Sequence, residues 1–146
     1  MNTAVLLTFL AFALPASAID LRTFRIPDLL VFPCFAIVFI FLLNSQIDIL
    51  PNRVAAALLS GLFFFIIRRI AGGLGLGDVK FAALIGLCCG LPWACVAFLA
   101  AALTGIAAVL IVRRGKTERS NPLPFAPFLT VGVVVAFLLS RFLRFF

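Results

Sequence analysis

From Phe81 to Val112 no residue carries a charge. Folded as one helix, that stretch would be about 48 Å long at ~1.5 Å per residue, well beyond the ~30 Å hydrocarbon core of a bilayer. Nor can it hide in a water-soluble core. Of 146 residues, 65% are hydrophobic and 12% charged, with a mean hydropathy of +1.30. Ordinary soluble domains are about 45–50% apolar and about 25% charged, and a chain this short cannot bury the excess. The sequence therefore reads as an all-α, polytopic membrane protein, with room for about six spans of ~20 residues. Soluble enzymes, nucleic-acid modules and disordered tails are excluded.

Turn-formers and charges divide the chain. Gly90-Leu91-Pro92 is the natural break in the long uncharged stretch, leaving a short fourth span and a fifth from Trp93 to Val112. The first span is Thr3 to Ile19. It ends in Ala16-Ser17-Ala18, which resembles a signal-peptidase site, but the first basic residue, Arg22, follows the apolar run rather than preceding it. A secretory signal has the opposite order, so a retained first span is expected. Leu29–Leu43, Val54–Ile67 and Phe125–Leu139 supply the second, third and sixth spans. The whole of 1–146 is expected to form a single membrane domain.

The basic residues test this division. With the N-terminus outside, the cytoplasmic loops hold Arg22, Arg25, Arg68, Arg69, Lys80, Arg113, Arg114, Lys116 and Arg119, while Arg53, Arg141 and Arg144 fall outside. Cytoplasmic loops carry an excess of Lys and Arg, so the asymmetry supports six spans in this orientation. It also accounts for the net charge of +7 without a nucleic-acid partner.

The side-chain inventory narrows the chemistry. The chain has no His and no Tyr, so an imidazole base or a Ser-His-Asp triad is absent. Cys34, Cys88, Cys89 and Cys95 form no CxxC pair and lie in apolar runs, where thiols act as small hydrophobes. No metal is expected. The acids are Asp20, Asp28, Asp48, Asp78 and Glu118. Glu118 sits in a basic loop and reads as a surface charge, and Asp48 reads as a turn residue near Pro51. Asp28 follows Pro27 and precedes an apolar helix, which suits an N-cap accepting backbone N–H groups.

Asp20 and Asp78 differ from these three. Asp20 directly follows the first apolar run. Asp78 follows the alternating Gly73, Gly75 and Gly77 at the start of the fourth span, so both acids are expected at the same depth on the same side. Gly75 and Gly77 leave room for another backbone near Asp78. An acid inside a bilayer costs about 2.5–3.5 kcal/mol and points to function. Two helix-end acids neutralised by Arg22, Arg25 and Lys80 would explain the same positions. A nucleotide-binding loop would not, because neither GxGxxG through Asp78 nor GxxxxGK[ST] occurs.

Three segments resemble the type IV prepilin peptidases. Asp20 is followed eight residues later by Pro27-Asp28, similar to the family's first signature. Gly75-Leu76-Gly77-Asp78-Val79-Lys80 is similar to its second, GxGD followed by x-Lys, and Pro124-Phe125-Ala126-Pro127-Phe128 to the stretch opening its last helix. The resemblance implies a six-helix intramembrane aspartic protease of the bacterial inner membrane. Asp20 and Asp78 would be the catalytic pair, with Gly75, Gly77, Lys80, Pro27 and Asp28 positioning them. Two adjacent carboxylates share one proton, and no cofactor is implied. The substrates would be prepilin or pseudopilin proteins with a short basic leader, cut at the cytoplasmic face next to an apolar helix. Membrane lipid is the other partner.

The larger prepilin peptidases carry an N-terminal cytoplasmic segment associated with N-methylation. Here the first span starts by Thr3, so the resemblance is nearer to the short, peptidase-only members of tight-adherence pilus systems. Methyl transfer is expected to be absent. Presenilin-like proteases share GxGD, but their partner motif needs a Tyr before the first Asp. A small transporter or channel subunit using Asp20 and Asp78 as proton or ion sites is the alternative from another class, and a non-catalytic assembly subunit is a third.

Overall fold

A computed structural model describes residues 2–71, 74–112 and 124–143. Glu118, Gly73, the basic residues Arg113, Arg114, Lys116 and Arg119, and Arg144 lie outside the described residues. Among the described residues six α-helices follow one another: α1 (Thr3–Thr23), α2 (Asp28–Ser45), α3 (Leu50–Ala71), α4 (Leu76–Cys89), α5 (Leu91–Val112) and α6 (Ala126–Phe142). The expected all-α, six-helix architecture is present. Of these, α1, α2, α3 and α5 are long and apolar enough to cross a membrane; α6 is a shorter apolar helix of 17 residues and α4 has 14.

Most helices outrun their apolar runs because polar residues complete the terminal turns. Asn2 caps α1, its Oδ1 accepting the Ala4 N–H at 3.0 Å. The helix continues through Ala16-Ser17-Ala18 and past Asp20 to Thr23, where Phe24 ends it in the left-handed conformation (φ 52°, ψ 34°). A single 3-10 turn, Ile47–Ile49, joins α2 to α3 and carries the exposed Asp48. Between α4 and α5 the chain turns at Gly90, whose φ of +75° suits a residue without a Cβ. The fifth helix starts at Leu91 rather than Trp93, since proline is tolerated in a first helical turn.

The helices pack as sequential hairpins, with α1 against α2, α3 against α4 and α5 against α6, and the outer helices closed by α1 against α6. Two glycines set the closest approaches. A Cβ on Gly86 of α4 would lie 2.4 Å from the Ala56 carbonyl oxygen of α3, and one on Gly132 of α6 would lie 2.1 Å from that of Ala97 on α5. Small residues at crossings of this kind let helix backbones approach closely in lipid, where packing replaces the hydrophobic drive. The buried core around them includes Phe9, Phe81, Leu84, Ile85, Leu129 and Val133. Cys34, Cys88 and Cys89 are buried in the same core, while Cys95 is exposed.

One expectation fails. Asp28 is not the cap of α2: Pro27 occupies that position and makes no side-chain cap bond. Asp28 is instead the first helical residue, and its carboxylate receives Lys80 Nζ of α4 at 2.6 Å. The Lys80 ammonium also lies 5.1 Å from the centroid of the Phe32 ring. A cation two helices away competes successfully for a carboxylate that could otherwise fold back onto its own backbone. Both partners are well exposed, 36% for Lys80 and 54% for Asp28.

Two stability outcomes follow from this packing. Gly86→Ala and Gly132→Ala force backbone apart and destabilise the protein by about 1–3 kcal/mol each, whereas Gly105→Ala, with the Phe128 ring no nearer than 3.8 Å, is neutral or mildly stabilising. Unfolding in mixed micelles checks the order. In a double-mutant cycle, Asp28→Asn with Lys80→Met gives a coupling of about 0.2–1 kcal/mol that salt removes.

Candidate active site

Asp20 lies three residues before the end of α1 and is 4% exposed. A carboxylate so enclosed needs a hydrogen-bond donor. It finds one at the start of α6: the Ala126 N–H donates to Asp20 Oδ2 at 3.1 Å, and the neighbouring Phe125 N–H is directed at the same group. The first amides of a helix have no partner within it and carry a positive partial charge, so α6 offers Asp20 both a bond and a favourable field. Proline at position 127, in the first turn of α6, has no N–H to add. The Pro-Phe-Ala-Pro-Phe stretch thus leaves the amides of Phe125 and Ala126, between its two prolines, as the donors facing α1.

A second polar contact fixes this meeting one turn further along. Ser17 Oγ and Thr130 Oγ1 are 2.9 Å apart and buried, and Thr130 donates to the Ala126 carbonyl at 2.9 Å. With the Thr130 proton so engaged, Ser17 is the donor of the pair. Ser17 is three residues before Asp20 and so lies on the same helix face. Neither hydroxyl was singled out by the sequence reading. Their signal is spacing alone: Ser17 three before Asp20, and Thr130 four after Ala126.

Asp78 is the third residue of α4 and is half-buried. Its Oδ2 accepts the Gly75 N–H at 2.9 Å, closing the first turn of its own helix. Gly75 is the N-cap, in extended conformation. At Gly77 the lack of a Cβ has a different use, since one there would come within 2.9 Å of the Ile26 Cβ. The connection between α1 and α2, at the residue just before the Pro27 cap, therefore lies directly against the start of α4. Gly77 brings that connection close, as the sequence suggested, although the backbone it admits is the chain's own.

These contacts bring together the residues that the sequence set apart. Asp20 and Asp78 lie at the same end of the bundle, one in the last turn of α1 and the other in the first turn of α4. Each is held by an amide at a helix start, α6 for Asp20 and α4 for Asp78. Lys80 and Asp28 pair beside them, Pro27 caps α2, and Gly75 and Gly77 shape the first turn of α4. Asp48 is remote, on the turn before α3. Two carboxylates held this way can share a proton and work as acid and base.

Known proteins give the arrangement its relatives. The type IV leader peptidase family matches residues 7–110, well over half of the chain. A prepilin leader peptidase/N-methyltransferase of Bacillus subtilis (strain 168) is 42% identical over 82 residues, 53% of this chain and 32% of that protein. The leader peptidase HopD of Escherichia coli is 32% identical over 148 residues, covering 75% of this chain and 92% of HopD. HopD of Salmonella typhimurium is 34% identical over 145 residues, 87% of each. The chain thus spans about a third of the Bacillus relative's length and most of both HopD proteins. No solved structure matches it. With the family model matching most of the chain and both HopD proteins similar along most of their length, the chain belongs to the type IV leader peptidase family.

Proposed function

We propose that this chain is a membrane-embedded aspartic endopeptidase that removes the leader of type IV prepilin-like proteins. In this reading 1–146 is a single catalytic domain, with Asp20 and Asp78 as the catalytic pair. The observation that carries the proposal is the pair itself: two carboxylates from α1 and α4, each held by a backbone amide, brought to one end of an apolar bundle.

The chemistry follows from the pair. A catalytic pair of carboxylates does not readily ionise twice, so it retains one proton between its members. The ionised member draws a proton from water, whose oxygen attacks the scissile carbonyl carbon. The protonated member donates to the carbonyl oxygen. Collapse of the tetrahedral intermediate breaks the C–N bond: the departing amine takes the proton from the protonated member while a hydroxyl of the diol returns its proton to the ionised one, which restores the singly protonated pair. No covalent enzyme intermediate forms, and the two groups titrate as a unit. Lys80 and Asp28 act as positioning residues by tying α4 to α2. The reading assigns no residue to methyl transfer.

The proposal places the active end at the cytoplasmic face of the bacterial inner membrane, with the N-terminus outside. Among the described residues, Arg22, Arg25, Arg68, Arg69 and Lys80 lie toward the Asp20–Asp78 end, against Arg53 and Arg141 at the other. That asymmetry is the support for the orientation.

Asp20→Asn and Asp78→Asn each abolish prepilin cleavage in proteoliposomes, while Asp48→Ala leaves it near normal. Wild-type activity falls on both sides of a pH maximum, because the pair needs one proton and not two. Robust turnover by either Asn variant overturns the assignment. For orientation, the four native cysteines are replaced and single ones introduced. A cysteine at Gln46 labels from outside intact cells and one at Thr23 does not; the reverse pattern inverts the topology.

A further inference from the structure

A cleft of about 750 Å³ runs between α3 and α5. Its walls are apolar, with Leu62, Phe63 and Ile66 on one side and Leu99 and Ala102 on the other. Phe64 forms a ring cluster across it, 4.9 Å from Phe98 and 6.2 Å from Phe125 between ring centroids. Its outer residues Leu62, Phe63 and Leu99 are exposed, so in a bilayer the cleft opens sideways to lipid.

Two features distinguish this cleft from an ordinary lipid-facing groove. The first is where it ends. Phe125 and Leu74 line it, and they immediately precede Ala126 and Gly75, whose N–H groups hold Asp20 and Asp78. A segment lying along the cleft is therefore led to the paired carboxylates. The second is Ser60, which also lines it. Its hydroxyl is, among the described residues, the one buried side-chain oxygen or nitrogen without a hydrogen-bond partner, on a residue only 3% exposed. An unsatisfied hydroxyl at membrane depth is costly. An acyl chain cannot relieve it, whereas a helical peptide that displaces the side chains covering it can, because each backbone carbonyl has a second lone pair.

We propose that the cleft between α3 and α5 is where a membrane-embedded apolar helix of the peptide substrate docks, with Ser60 donating to it and Phe125 and Leu74 guiding its end to Asp20 and Asp78. This rests on the leader-peptidase reading. It adds a lateral entry route and a specificity surface separate from the carboxylates. Ser60 and Ala102 keep the wall low enough for a second helix to approach.

The test uses the full chain in vesicles of phosphatidylethanolamine and phosphatidylglycerol with a type IV prepilin. Leu99→Trp fills the cleft and raises KM about tenfold or more with kcat within about twofold. Ser60→Ala, which removes the unpaired hydroxyl, raises KM about two- to tenfold while leaving the free enzyme as stable as before or more so. Leu138→Trp, on an exposed part of α6, is the control and changes neither constant. Cys95 lines the cleft and is exposed, unlike Cys34, Cys88 and Cys89, so a benzophenone maleimide attached there reports the occupant directly.

Photocrosslinking is done in the Asp78→Asn enzyme, so that it reads docking whether or not cleavage occurs. Capture of the prepilin through its apolar segment supports the proposal. Capture of lipid alone or of a second copy of this chain overturns it, as do cleft variants that behave like Leu138→Trp. The leader-peptidase reading fails on a different result, a wild-type enzyme that leaves the prepilin intact.

Discussion

A carboxylate sealed in an apolar bundle has to be met by a donor, and the only amides free to meet it are those at helix starts. Asp20 is met by α6. That single requirement brings the last described helix against the first, across more than a hundred residues of chain, and closes the bundle. A hydrogen bond to a charged group contributes about 1.5–3 kcal/mol, and leaving such a group unpaired costs more. The Ser17–Thr130 contact strengthens the same junction. At the far end Arg141 of α6 bonds the Thr3 hydroxyl at the start of α1, so the two helices are joined at both ends in antiparallel register.

The second carboxylate is placed by an independent set of constraints. Gly86 lets α4 lie against the backbone of α3, and Gly77 lets its first turn lie against Ile26. The height and rotation of α4 are thereby fixed with respect to the α1–α2 connection, which is itself the continuation of the helix carrying Asp20. Lys80 and Asp28 repeat the link with side chains. Asp78 comes opposite Asp20 because α4 is held to the element that follows Asp20, and its own carboxylate is steadied by the Gly75 amide.

Much of this was legible in the sequence, and the remainder was hidden for identifiable reasons. The six helices follow from apolar runs and breaks, and Asp20 and Asp78 stand out because each is an acid at the edge of such a run. The identity of a partner across the fold does not show in local sequence. Asp28 has every local mark of an N-cap, yet Lys80, far away in the chain, takes its carboxylate. Ser17 looks like part of a small-residue cleavage site and proves to bond Thr130. Ala126 offers no side-chain signal at all, since its contribution is a backbone N–H. Gly86 and Gly132 read as ordinary residues of apolar runs, because what they admit is a neighbour's backbone.

The shortness of α4 gives the site its depth. Fourteen residues make a helix of about 21 Å, some way short of a ~30 Å hydrocarbon core. The deficit has to fall at one end. At the α5 end, the Arg53 guanidinium donates to the Cys88 carbonyl at 2.7 Å, and a cation there suits both the unpaired carbonyls and the negative end of the helix dipole. An arginine is least costly near the interface, so it holds that end of α4 close to the headgroups. The shortfall is then left at the Asp78 end. Lys80 fits this placement: although it lies further into α4 than Asp78, its long side chain extends to Asp28 at the first turn of α2, as a snorkelling lysine does. On the proposed function, Asp78 then stands below the level of the headgroups, within reach of a peptide bond in a membrane-embedded segment, and water enters along the polar ends of α1, α4 and α6.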